Sequence, residues 1–224
     1  VVFYAQPLFR KGTTSSDGSF TLDSETVKAE DAGTDITVLN AAEALAGELD
    51  LSLGDISFSE EKGQLTILYS KTDDSGQVVT AKLIDQSYDN CYRITSSGNV
   101  EKYHLSVDTP ASRELKLVLK NLTITPAEAI APIQINGESQ VITYLEGENK
   151  ISINKSGKSS PAGISVAKGA KLTIDSEPEQ QGSIEVLNET TATRNGAAIG
   201  GNGGEDAGTI HIKGGTVIAK MTNS

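Results

Sequence analysis

From Glu114 onward the chain alternates apolar and polar residues in short bursts: "LKLVL", "LTIT", "IQI", "VITYLEG", "KISI", "GISV", "KLTI", "SIEV", "TIHI" and "TVIA". Apolar residues fall two apart, as in Ile164/Val166, Leu172/Ile174, Ile184/Val186 and Ile210/Ile212. That is the period of a strand with one buried face. The links between bursts carry Gly, Asn, Asp, Ser or Lys, which tolerate turn dihedrals. Strands this short suit a sandwich poorly, since sandwich strands usually run to about 5 or 6 residues. The segments also echo one another. "GISVAKGAKLTI" from Gly163 and "GTIHIKGGTVIA" from Gly208 share a Lys-Gly corner, at Lys168-Gly169 and Lys213-Gly214. "PIQI" at 132, "AGISV" at 162 and "AAIGG" at 197 fall at corresponding places. Loose repetition with variable corners predicts a solenoid, a parallel β-helix over residues 111–224.

Residues 1–110 read differently. "FTLDSETVKAEDAGTDITVL" suits short strands, "NAAEALAGELDL" from Asn40 suits a short helix, and "QLTILYSKTDDSGQVVTAKLI" suits a hairpin about its "DDSG" turn. This region is expected to form an acidic, β-rich N-terminal cap over the open end of the coil, with an insertion at about residues 40–90. The other end, "GGTVIAKMTNS", shows no cap. Either the natural chain runs past Ser224 or the C-terminal edge pairs with another molecule, in self-association. The chain starts at Val1 without Met, and "VVFYAQPLFR" is too short and too soon interrupted for an intact signal peptide, so a trimmed product is expected.

Charge removes two partner classes. The net charge is −11, and the first 112 residues hold 18 acidic against 8 basic side chains. Such a surface repels nucleic acid and anionic membrane, and no apolar run approaches the roughly 18 residues needed to cross a bilayer. Neither nucleic acid binding nor membrane insertion is expected. Cys91 is the sole cysteine, so no internal disulfide forms, and a small buried or half-buried side chain is expected there.

Few motifs carry chemistry. "SINKSGKS" at 152–159 has Ser where a phosphate loop needs its first Gly, and Pro161 follows instead of a helix. "GGNGGEDAG" at 200–208 approximates the calcium-binding β-helix repeat, with Glu205 in place of the expected Asp. Asn202, Glu205 and Asp206 are the oxygen donors such a calcium site would use. The plainer alternative is a flexible glycine corner with solvated acids. Acids in the second half sit mainly in loops, without the facing carboxylates of a glycosidase, so no enzyme is expected. His104 and His211 lack partners at zinc-ligand spacing. Lysines Lys150, Lys155, Lys158, Lys168 and Lys171 recur near corners, either to keep edges soluble or as a track for an acidic polymer.

The run "YRITSSG…LKLVLKNLTIT…APIQI…VITYLEGENKISI…PAGISVAKGAKLTI…GSIEV…AAIGG…AGTIHIKGGTVIA" resembles the secreted bacterial carbohydrate-binding β-helix domains of surface proteins, over roughly Tyr92 to Lys220. The resemblance implies a right-handed parallel β-helix, an extracellular or bacterial cell-surface location, and binding of polysaccharide, sometimes with calcium. Tyr144, the one aromatic residue of this half, and Arg194 are then the expected sugar-binding residues. The long segment at 40–90 departs from that pattern. The alternative expectation is a structural or adhesive surface module that self-assembles through its edges.

Overall fold

The computed structural model describes residues 48–85, 88–155, 160–176, 182–191 and 194–222 in full, and strand backbone alone within residues 2–38. The antiparallel pair β1 (Val2–Ala5) and β2 (Leu8–Lys11) and the antiparallel trio β3 (Thr13–Thr14), β4 (Phe20–Leu22) and β5 (Glu25–Val27) form two small sheets of their own. Then follow β6 (Ile36–Val38), β7 (Leu49–Asp50), β8 (Ile56–Glu61), β9 (Gln64–Thr72), β10 (Val78–Asp85), β11 (Cys91–Thr95), β12 (Asn99–Val100), β13 (Leu105–Asp108), β14 (Glu114–Lys120), β15 (Thr123–Ile124) and β16 (Ile133–Ile135). The remainder are β17 (Gln140–Glu146), β18 (Glu148–Ile153), β19 (Ile164–Val166), β20 (Lys171–Asp175), β21 (Ser183–Asn188), β22 (Ile199–Gly200), β23 (Thr209–Ile212) and β24 (Thr216–Met221). The helix expected from Asn40 lies outside the described residues up to Gly47, and Leu49–Asp50 is strand.

These strands build three larger sheets. Sheet I runs β22-β19-β16-β13-β8-β9-β10-β6, sheet II β23-β20-β17-β14-β11-β7, and sheet III β12-β15-β18-β21-β24. This topology corrects the expected right-handed parallel β-helix. The chain is all-β, without helix among the described residues, but it forms three distinct sheets, the largest of them mixed, rather than a closed solenoid. The physical reason lies in two tight turns. Glu61 faces Gln64 across Lys62 and Gly63, both at positive φ (52° and 79°), the two-residue turn whose twist matches a hairpin. A link that short reverses the chain, so β8 and β9 are antiparallel. The "DDSG" turn does the same for β9 and β10, with Asp73 Oδ1 accepting from the Ser75 and Gln77 amides at 2.9 Å each.

In sheets II and III every pairing is parallel, and apolar residues line up strand to strand. In sheet I the row Ile56–Leu105–Ile133–Ile164–Ile199 crosses five strands. In sheet II the row Tyr92–Leu117–Thr143–Ile174–Ile212 does so, and in sheet III the row is Val100–Ile124–Ile151–Val186–Ala219. All three sheets contribute to one apolar core. Its residual cavity, near 10 Å³ between Leu117, Ile133, Val141 and Ile174, is at the lower limit for a single water and is lined by apolar groups.

Two buried asparagines fix the corners. Asn149 accepts from the Leu122 amide (3.0 Å) and donates to the Ser183 carbonyl (3.0 Å). Asn188 donates to the carbonyls of Pro161 (2.9 Å) and Gly196 (3.0 Å) and accepts from the amide and hydroxyl of Thr190 (3.1 and 2.6 Å). It thereby ties the end of β21 to both segments that flank β19 and β22. Removing the amide strands carbonyls in an environment where water cannot replace it. Asn188→Ala is expected to lower the unfolding free energy by about 2–3 kcal/mol in urea denaturation. Asn188→Asp, which keeps the acceptor and loses both donor bonds, is also expected to destabilise; wild-type stability in both variants would contradict the role.

Candidate functional site

Three places bear on function: the glycine corner before β23, the outward face of sheet II, and the last strand of each sheet. The corner runs from Gly196 to Gly208 and is built by close backbone approach. A side chain at Gly203 would collide with the Arg194 carbonyl, and Gly204, at φ +86°, lies against the Arg194 side chain. Arg194 is thus part of the corner's wall, and its carbonyl accepts from the Ser160 amide at 3.0 Å.

The three expected calcium donors divide between different partners. Asn202 and Glu205 meet, but through the Asn202 Nδ2 donating to Glu205 Oε2 at 3.0 Å, while Asn202 Oδ1 accepts from the Ala162 amide at 3.0 Å. Asp206 turns to Lys168, whose Nζ stands 3.0 Å from Oδ2. Among the described residues no group of three or more His, Cys, Asp or Glu side chains is placed to hold a metal. As placed, Asn202 Oδ1 and Asp206 Oδ2 are each engaged by a protein donor.

Tyr144 lies on a different element from Arg194, the outward face of sheet II. Parity sets this face: with Leu117, Val141, Leu172 and Ile174 turned inward, the alternate residues turn out. One outward row is Arg93–Val118–Tyr144–Asp175, and the next is Cys91–Lys116–Ile142–Thr173–His211. Cys91 is exposed here rather than buried, because Tyr92 and Ile94 take the inward positions of β11. Tyr92 therefore cannot meet a ligand. Its ring packs 5.4 Å from Phe58, its hydroxyl donates to Asp85 at 2.6 Å, and burial together with that carboxylate raises its pKa. Tyr88 is buried as well, donating to Glu60 at 3.0 Å beneath the Arg113 guanidinium.

At the edge of the same face an ionic group joins Glu48, Lys120, Glu146 and Arg93. Lys120 Nζ lies 2.7 Å from Glu48 and 3.2 Å from Glu146, and Arg93 Nε lies 3.1 Å from Glu146. Hydrogen bonding to Glu48 and then Glu146 raises the Lys120 pKa. For Glu146 burial pushes upward, but the hydrogen bonds from Lys120 and Arg93 prevail and hold it below the ordinary carboxylate value. On sheet III Lys150 stands opposite Glu185, which hydrogen bonding to Lys220 at 3.0 Å also keeps ionised to lower pH. Lys120, Lys168 and Lys220 are each paired with a carboxylate, Lys150 stands opposite Glu185, and Lys158 of the expected track lies outside the described residues. Sequence spacing could not reveal these pairings, since the partners lie 26 to 72 residues apart.

β22, β23 and β24 each end their sheet, as β6, β7 and β12 do on the other side, and among the described residues one side of each has backbone groups without a strand partner. Ile212 stands in the same inward row as Ile174, yet is 59% exposed against 1%. Met221, in row with the buried Asn188, is 46% exposed.

Because Glu146 binds protons more weakly folded than unfolded, its share of stability is present above the ordinary carboxylate pKa and lost as pH falls through the depressed one. Glu146→Gln is expected to flatten the loss of stability between pH 6 and about pH 3 in urea titrations; an unchanged acid slope would show the ionic group to be uncoupled from folding.

No helix among the described residues is long and apolar enough to cross a membrane. Comparison of the chain with protein-family models, with curated proteins and with solved structures gave no match.

Proposed function

We propose that this protein is a structural module that assembles by adding β-strands to the open ends of its three sheets. One observation carries this reading: the inward-facing Ile212 and Met221 lie in rows whose earlier members are buried, and among the described residues nothing covers them. Ile210 and Val217 pack only partly against the core beside them. An uncovered core end beside three free strand edges is a template for further strands, because added backbone satisfies the edge while added side chains bury the apolar rows. Natural edges are usually blunted by inward-pointing charge or proline. Here the inward positions of β23 and β24 are Ile210, Ile212, Val217, Ala219 and Met221.

A second reading, polysaccharide binding at a cell surface, is supported by the outward row Arg93–Val118–Tyr144–Asp175 on a sheet face. In this row Tyr144 stands between Val118 and Asp175, so its ring offers a stacking surface with a hydrogen-bonding carboxylate on one side. Of the sugar-binding pair expected from sequence, Arg194 belongs to the glycine corner and Tyr144 to this face.

Sedimentation equilibrium tests the first reading. The chain is expected to associate with rising concentration, and Ile212→Glu/Met221→Glu is expected to remain monomeric with an unchanged circular dichroism spectrum. A wild-type monomer at every concentration would refute it. For the second, retention on immobilised acidic and neutral polysaccharides is expected to weaken about tenfold in Tyr144→Ala; equal retention of both proteins, or none, would dismiss it.

A further inference from the structure

Resting on the assembly reading, we infer that the partner at the open end is a second copy of this chain, joined end to end about a two-fold axis through His211, and not the opposite end of another molecule. Among the described residues the opposite end offers no matching apolar row. There β7 and β12 are short, their inward residues Leu49 and Val100 are 3% and 2% exposed, and the neighbouring Leu51 is fully buried. Head-to-tail stacking would leave Ile212 and Met221 against a surface that, among the described residues, has no open apolar row. The exposed Val78 and Ile130 stand singly in other segments. The matching apolar surface is therefore the same end of another copy, which is the requirement for a closed, isologous dimer.

Strand parity fixes the register. Two β23 strands related by a two-fold axis run antiparallel. With His211 opposite His211 of the second copy, Ile210 falls opposite its Ile212, so both inward residues stay inward; a slip of one residue would set Ile210 against His211 and mix the two faces. The same rotation lays β22 of one copy against β24 of the other. Charge agrees with this arrangement. The corner before β23 carries Glu205 and Asp206, and the corner after it carries Lys213, all exposed. The two-fold rotation exchanges these corners, bringing Lys213 of each copy to the acidic corner of the other, twice per dimer. The exposed Lys168–Asp206 pair that now occupies the acidic corner is a surface ion pair, which costs little to rearrange.

Cross-linking at the axis tests the geometry. In Cys91→Ser/His211→Cys the new thiols meet across an antiparallel pair, where opposite Cα atoms stand at about 4.5–5.5 Å, within disulfide range. Mild oxidation is expected to convert most of the chain to a covalent dimer of unchanged circular dichroism, while Cys91→Ser/Val78→Cys stays uncross-linked. In light scattering Lys213→Glu is expected to weaken the dimer about tenfold, and Lys213→Glu/Glu205→Lys/Asp206→Lys to restore it. A dimer that fails to cross-link at 211, or a concentration-dependent ladder of higher species, would overturn the two-fold arrangement while leaving edge assembly standing. A strict monomer would overturn both.

Discussion

A strand layer buries its inward side chains only when another layer lies against it on each side. That constraint governs most of what this molecule does. In sheets II and III parallel register sets Leu117 on Thr143 and Ile151 on Val186, and burial of each large apolar side chain contributes about 1.5–3 kcal/mol relative to exposure. At one end, β9 and β10 extend sheet I antiparallel from β8, with Leu65, Ile67 and Leu83 buried. At the other end the last described members of the rows, Ile212 and Met221, are 59% and 46% exposed.

The inward residues of the second half were readable in sequence because the period of a strand needs no tertiary information. Ile164/Val166, Leu172/Ile174 and Ile184/Val186 are all buried. The hairpin about Asp73–Gly76 was readable from its turn residues. The hairpin at Lys62–Gly63 was not, since only the backbone reveals that Lys62 sits at positive φ. With it went the mixed character of sheet I, which separates this fold from the regular parallel β-helix that the repeats suggested.

Side-chain partnerships were the least legible. The string "GGNGGEDAG" places three oxygen donors within five residues, yet the local backbone turns Asn202 onto Ala162 and Glu205, and the neighbouring strand layer supplies Lys168 to Asp206. Asn149 and Asn188 look like ordinary turn residues, but burial makes them the hydrogen-bonding centres of two corners. Cys91 is exposed where a buried or half-buried side chain was expected, because the parity of β11 turns Tyr92 inward instead.

What satisfies the edges of β23 and β24 therefore decides how this molecule behaves in solution. Hydrogen–deuterium exchange, followed peptide by peptide across residues 208–222 over a range of protein concentrations, addresses it directly. If strands add at the open end, amides of β23 and β24 gain protection as concentration rises while those of β14 and β17 stay constant. Rapid exchange at β23 and β24 that is independent of concentration would contradict the account.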